Sequence, residues 1–156
     1  MNLSEYEQIL KQILKQIVSS TPGLRHAIII DEAGITITSE SKFSFTADKN
    51  VSIEKIGAIG GAVFTAGEEQ GYILGYGNID LQITEYDKGL VFAGKVGKGV
   101  LCVITDKNVQ IGYVRTIIKR FGPKISHVLN KYFESEKESL DENLKKLIGT
   151  DPLGFL

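Results

Sequence analysis

Residues 52–70, SIEKIGAIGGAVFTAGEEQ, decide how this chain is read. Their spacing predicts a helix whose surface is apolar or very small nearly all the way round. One stripe runs Ile53, Ile56, Gly60, Val63, Phe64 and Gly67, at the interval of one helical face. A second runs Ala58, Gly61, Ala62 and Thr65, and the charges stand only near the ends, at Glu54, Lys55, Glu68 and Glu69. Each interior glycine costs a helix about 1 kcal/mol relative to alanine, so Gly57, Gly60 and Gly61 together weigh about 3 kcal/mol against it. Close packing against a neighbouring backbone can offset that cost. A helix that is apolar on every side also needs cover on more than one side. One cover is expected to be the chain's own sheet. The other is expected to be a second copy of the chain, with Gly57, Gly60, Gly61 and Phe64 in the contact.

The 156 residues are enough for one domain, which buries about 70% of the surface its unfolded chain exposes. A hydrophobic content of 42% and a charged content of 24% are ordinary for a soluble globular protein. The formal net charge of −1 argues against broad electrostatic binding to nucleic acid or to anionic membrane. Cys102 is the single cysteine, so no intrachain disulfide can form; its place in the apolar run Val100 to Ile104 predicts a buried structural thiol. The start, MNLSEYEQIL, lacks a basic region followed by an apolar core, and no signal peptide is read there. The stretch Ile56 to Gly67 is shorter than the roughly 20 residues needed to cross a bilayer. A cytoplasmic location is expected.

Working outward from the glycine-rich helix, a first helix is predicted over 4–20. Ser4 and Glu7 form a capping box, and Tyr6, Ile9, Leu10, Ile13, Leu14, Ile17 and Val18 make one apolar face. His26 to Ile30 is a continuous apolar strand of the kind buried on both faces. A turn at Asp31 to Gly34 leads to an alternating strand, Ile35 to Thr38, and residues 40–51 are read as polar loop. After the central helix, Gly71 to Gly77 is read as a turn with a short extended piece. Three strands follow: one in which Ile79, Leu81 and Ile83 alternate with Asp80, Gln82 and Thr84, then Leu90 to Val96, then Val100 to Thr105. Asn108 is expected to cap a long last helix, broken or kinked at Gly122-Pro123. A charged linker over 134–139 and a short amphipathic helix with Leu140, Leu144, Leu147 and Ile148 complete the chain. The domain division expected is 1–133 and 134–156. The order α-β-β-α-β-β-β-α gives an α/β sandwich around an antiparallel sheet.

No grouping of residues carries a catalytic signature. Gly89 to Lys95 follows most of a phosphate-loop pattern, yet Val96 stands where Ser or Thr should hold magnesium, and the residues alternate as a strand. A phosphate loop must open a helix so that backbone N–H groups meet the anion. His26 and His127 have no partners at ligand spacing, so no metal is expected. Asp80, Glu85 and Asp87 read as charges on an outward strand face and its turn. The expectation is a protein without cofactor or metal and without enzymatic activity. Arg25 stands just before the first apolar strand, where it could reach a phosphate on a partner or simply be solvated.

The runs LRHAIIIDEAGITITSES (24–41) and NIDLQITEYDKGLVFAGKVGKGVLCVITDKNVQIGYVRTIIKRF (78–121), with the small-residue helix between them, resemble the roadblock (dynein light chain) family over roughly residues 4–132. The resemblance implies a five-stranded antiparallel sheet in the order 2-1-5-4-3. It also implies pairing through the central helix and the third strand, with Ile79, Leu81 and Ile83 at that edge. Family members are non-catalytic platforms, commonly for small Ras-like GTPases. The function implied is therefore a homodimeric scaffold, or one paired with a paralogous chain, that binds and can regulate such a GTPase. Glu54, Lys55, Ala58, Ala62, Thr65 and Glu69 would form the docking surface, with Arg25 as a further contact. Two other readings fit a similar arrangement of elements: a profilin-like actin-binding protein, and a small-molecule sensory domain. The absence of tryptophan disfavours the first. The glycine-rich helix offers little side-chain chemistry to the second.

Overall fold

The computed structural model of the protein describes residues 1–42 and 52–149. The elements are α1 (Leu3–Ser19), β1 (Leu24–Ile30), β2 (Thr36–Ser41), α2 (Ile53–Leu74), β3 (Gln82–Glu85), β4 (Gly89–Val96), β5 (Gly99–Asp106) and α3 (Ile111–Gly149). The strands form one antiparallel sheet in the order β2-β1-β5-β4-β3, as the resemblance implies. β1 and β5, the two continuously apolar segments, lie inside it, because only an inner strand covered on both faces can bury such a run.

The layers are unequal. On one face α1 and α3 enclose a core that includes Leu10, Leu14, Ile29, Phe92, Leu101 and Leu129. On the other, α2 covers a smaller cluster of Ile28, Ile30, Phe64, Ala93, Val100 and Cys102. Alternation along the strands produces this division: Phe92 and Val103 pair across β4 and β5 toward α1 and α3, while Ala93 and Cys102 pair toward α2.

Several boundaries differ from those the sequence predicts. Asn2, in extended conformation, caps α1 in place of Ser4, its Oδ1 accepting from the Glu5 N–H at 2.9 Å. The β1–β2 turn stands as read. Gly34 takes φ +82°, and the Asp31 carboxylate accepts from the N–H groups of Ala33 and Ile35. Glu40 and Ser41, read as loop, extend β2; the rest of that loop from residue 43, and the chain beyond Gly149, lie outside the described residues. α2 continues through Gly71 to Leu74, where a turn had been expected. α3 begins at Ile111, not at Asn108.

The largest difference is in α3, one helix of 39 residues that passes through Pro123 and through the expected linker at 134–139. Proline removes the donor for the carbonyl four residues earlier, that of Lys119. Both residues are on the exposed side of the helix, so water can serve that carbonyl. The preceding residue, Gly122, has no Cβ to crowd the proline ring. Further on, Tyr132 and Phe133 of α3 stack edge to face at 5.5 Å, and Phe133 packs against the α1/α3-side core. Burial, then the nearby carboxylates of Glu7 and Glu136, raise the Tyr132 pKa. None of the helices described is long and apolar enough to cross a membrane.

Candidate interaction surface on the central helix

α2 starts at Ser52, whose hydroxyl accepts from the Lys55 N–H at 3.3 Å. It stops at Gly75, where φ is +71° and the Tyr76 N–H returns to the Gly71 carbonyl at 2.9 Å. Gly57, Gly61 and Phe64 make up its buried side. A Cβ at Gly57 would lie 2.7 Å from Thr36 Oγ1 and 3.0 Å from Ile30 Cγ2. One at Gly61 would lie 3.1 Å from the Gly34 backbone and 3.1 Å from Ile30 Cδ1. These two glycines therefore let α2 settle onto β1 and the β1–β2 turn of its own chain. The close approach read as a contact between copies is, at Gly57, Gly61 and Phe64, internal. Gly60 is half-buried above Cys102, where a Cβ would meet the sulfur at 3.1 Å.

The third-strand residues also separate. Leu81 and Ile83 pack into the α1/α3 core, whereas Ile79 joins the α2-side cluster and donates its N–H to Glu68 Oε2 at 2.9 Å. Within this segment only Gln82–Glu85 is strand, paired on one side with β4 and ending the sheet on the other.

The outward side of α2 brings together Glu54, Lys55, Ala58, Ala62, Thr65 and Glu69, all exposed. Beside them stand aliphatic groups that the sequence reading left out of the docking surface. Ile59 is 60% exposed, Val63 47%, Ile73 80% and Leu74 54%; Tyr72 and Tyr76 are exposed as well. The signal for the last four was available in Gly75, the residue type that ends helices in left-handed conformation. Between α2 and the β3 end of the sheet runs a groove of about 300 Å³, lined by Ile56, Ile59, Val63, Thr84, Val91 and Cys102 among others. The surface is thus an apolar ridge and groove beside an unpaired strand.

Arg25 is elsewhere. It lies on β1, with its guanidinium on the Asp106 carboxylate. Lys42 beside it donates to the carbonyls of Thr21 at 2.7 Å and Pro22 at 2.8 Å. Burial lowers the Lys42 pKa, and Asp106 opposes that shift. His26 is buried with Nδ1 2.7 Å from Ser41 Oγ, while His127 is exposed on α3. Gly89–Val96 forms β4 and opens no helix. Cys102 is buried as expected, and burial pushes its thiol up to about 11. Among the described residues no three His, Cys, Asp or Glu side chains are grouped to hold a metal ion.

No family model matches the sequence. The uncharacterised protein MJ0310 of Methanocaldococcus jannaschii is 29% identical over 108 residues, 69% of this chain and 90% of that protein. Among solved structures, MglB in a tetrameric arrangement superposes with a TM-score of 0.72 at 16% identity, over 81% of this chain and 91% of that one. A Roadblock/LC7 domain from Streptomyces avermitilis gives 0.66 at 15% identity, over 76% of this chain and 96% of that one. Profilin IB of Acanthamoeba castellanii is more distant, at 0.53 and 11% identity over 75% and 96%. The sheet order, the three layers and these superpositions agree: the chain has the Roadblock/LC7 fold.

Proposed function

We propose that this protein is a non-catalytic scaffold that pairs with a second copy of itself through α2 and the β3 edge, and that the pair binds and regulates a small Ras-like GTPase. The observation that carries the pairing is the exposed aliphatic row of Ile59, Val63 and Ile73 beside an unpaired strand. Contiguous exposed apolar surface of this kind marks interaction sites, and an open strand edge is a template for a further strand. Gly60, half-buried beside the groove above Cys102, would lie between the sheet and the second copy. The GTPase reading rests on the roadblock resemblance. Its docking surface would be the charged and small residues Glu54, Lys55, Ala58, Ala62, Thr65 and Glu69.

Light scattering tests the pairing. A mass of twice 17.1 kDa that Val63→Glu halves, with unchanged circular dichroism, is the expected result. A wild-type monomer at the highest attainable concentration would refute it. For the second part, purified small Ras-like GTPases loaded with GDP or a GTP analogue are passed over immobilised protein. Binding that depends on the nucleotide and falls with Lys55→Glu supports the reading. Equal failure with every GTPase tested would leave a self-pairing scaffold alone.

A further inference from the structure

The second half of α2 carries side-chain chemistry that its glycine-rich first half lacks. Gly67 and Gly71 let the segment leading into β3 lie directly against the helix. A Cβ at Gly67 would stand 2.7 Å from Gln82 Nε2, and one at Gly71 2.6 Å from the Gly77 carbonyl oxygen. Between that segment, α2, the β1–β2 turn and the β4–β5 turn lies a cleft of about 400 Å³. Its size is that of a small-molecule site, and Phe64 and Val100 give it an apolar lining.

Glu68 is held in this cleft by one oxygen and unserved at the other. Its Oε2 accepts from the Ile79 N–H at 2.9 Å, while Oε1 is buried and has no hydrogen-bond partner among the described residues. A buried carboxylate oxygen without a donor is costly, and a cationic N–H brought to it removes that cost. Asp31 and Glu32 line the same cleft, Asp31 being fixed by the N–H groups of Ala33 and Ile35. Lys95, at the end of β4, and Lys98, in the turn after it, line it as well. Among the described residues no ion pair joins these carboxylates to these lysines. The cleft thus presents three carboxylates and two ammonium groups that are not spent on one another, with negative charge in excess.

We infer that this cleft binds a free basic amino acid of the arginine or lysine type. Such a ligand carries two cationic nitrogens, one carboxylate and an aliphatic stem, which complement the lining in sign and in kind. Its side-chain cation donates to Glu68 Oε1, its α-ammonium lies toward Asp31 and Glu32, and its carboxylate toward Lys95 and Lys98. The stem packs on Phe64 and Val100. All these groups belong to one chain, and the cleft is distinct from the apolar groove beside Val63. The site therefore does not rest on the pairing or the GTPase reading.

Isothermal titration calorimetry of the full chain with L-arginine and L-lysine tests this. Citrulline and norleucine lack the side-chain cation, and agmatine and cadaverine lack the carboxylate. At least one of the two amino acids should bind saturably, and at least about tenfold more tightly than either of its analogues. Glu68→Gln keeps an acceptor for the Ile79 N–H but removes the charge. With unchanged circular dichroism, it should weaken binding by at least about tenfold. Lys95→Ala combined with Lys98→Ala should bring the amino acid down to the affinity of its decarboxylated analogue. Val63→Glu should bind as the wild type does, whether or not the chain pairs. No saturable binding of either amino acid at millimolar concentration would overturn the inference, as would binding that Glu68→Gln leaves unchanged. A decarboxylated analogue binding as tightly as its parent would overturn the amino-acid assignment. Loss of binding in Val63→Glu would overturn a site complete within one chain.

Discussion

On one face of the sheet, α1 and α3 lay two apolar helix faces side by side and bury Leu14, Ile29, Phe92 and Leu129 completely. On the other, α2 alone covers Ile28, Ile30 and Cys102, sitting low on its glycines, and leaves Ile59 and Val63 in water. The same alternating strands feed both faces. The difference arises in the helices: α1 is apolar on one side and charged on the other, whereas α2 is apolar or small on nearly every side. The first kind of helix closes a core. The second closes a core and still offers an apolar surface, so a small fold can be stable and adhesive at once.

Substitutions ought to separate the two faces, and the greatest effect is expected on the closed one. Phe92→Ala should cost about 3–5 kcal/mol in urea unfolding, because its pocket is walled by two helices and cannot collapse. A loss below about 1 kcal/mol would mean that the closed face is looser than its burial indicates.

Next comes alkaline stability, read on the α2 side. The Cys102 thiol is neutral when protonated, and its folded pKa is raised from 9.0 to about 11. Its contribution is therefore fully present below pH 9 and is lost as pH rises toward 11. The full loss amounts to about 3 kcal/mol. Unfolding of the wild type and of Cys102→Ala from pH 8 to 11 should show the wild type losing ground; parallel curves would refute it.

Gly61→Leu is expected to destabilise the monomer by about 1–3 kcal/mol through overpacking against Gly34 and Ile30. Unfolding measured on a Val63→Glu background isolates this from pairing. An unchanged midpoint there would show that α2 can lift off the sheet. Val63→Glu by itself should change monomer stability by less than about 0.5 kcal/mol while shifting the solution mass. A large stability loss would mean that Val63 supports the fold.

Much of this was legible in the sequence. β1 and β5 are unbroken apolar runs, and the turn at Asp31–Gly34 carries its own side-chain and glycine signals. The phase of α2 was less legible for a physical reason. Periodicity locates the buried side of a helix by contrast with its polar side, and α2 has almost no polar side before Glu68. Gly57 and Gly61 could therefore have faced a second copy or the sheet, and only the neighbouring Gly34, Thr36 and Ile30 decide between them. The exposed Tyr72–Leu74 turn was missed because glycine at 71 was weighed as a stop, although Gly75 is the residue that takes left-handed conformation. In α3, local rules against Gly122-Pro123 and a charged run gave way to packing upstream and to solvent able to serve the freed carbonyl.

The continuity of α3 makes it a ruler with a phase. Its 39 residues run about 58 Å without a joint, so the outer end is fixed in direction as well as in distance relative to the sheet. One residue inserted near Glu138 would move the end by only about 1.5 Å yet turn its leucines through about 100°. Seven inserted residues would lengthen it by about 10 Å and return the leucines nearly to their original side. A partner that reads orientation would lose the first variant and keep the second; one tethered merely by proximity would accept both.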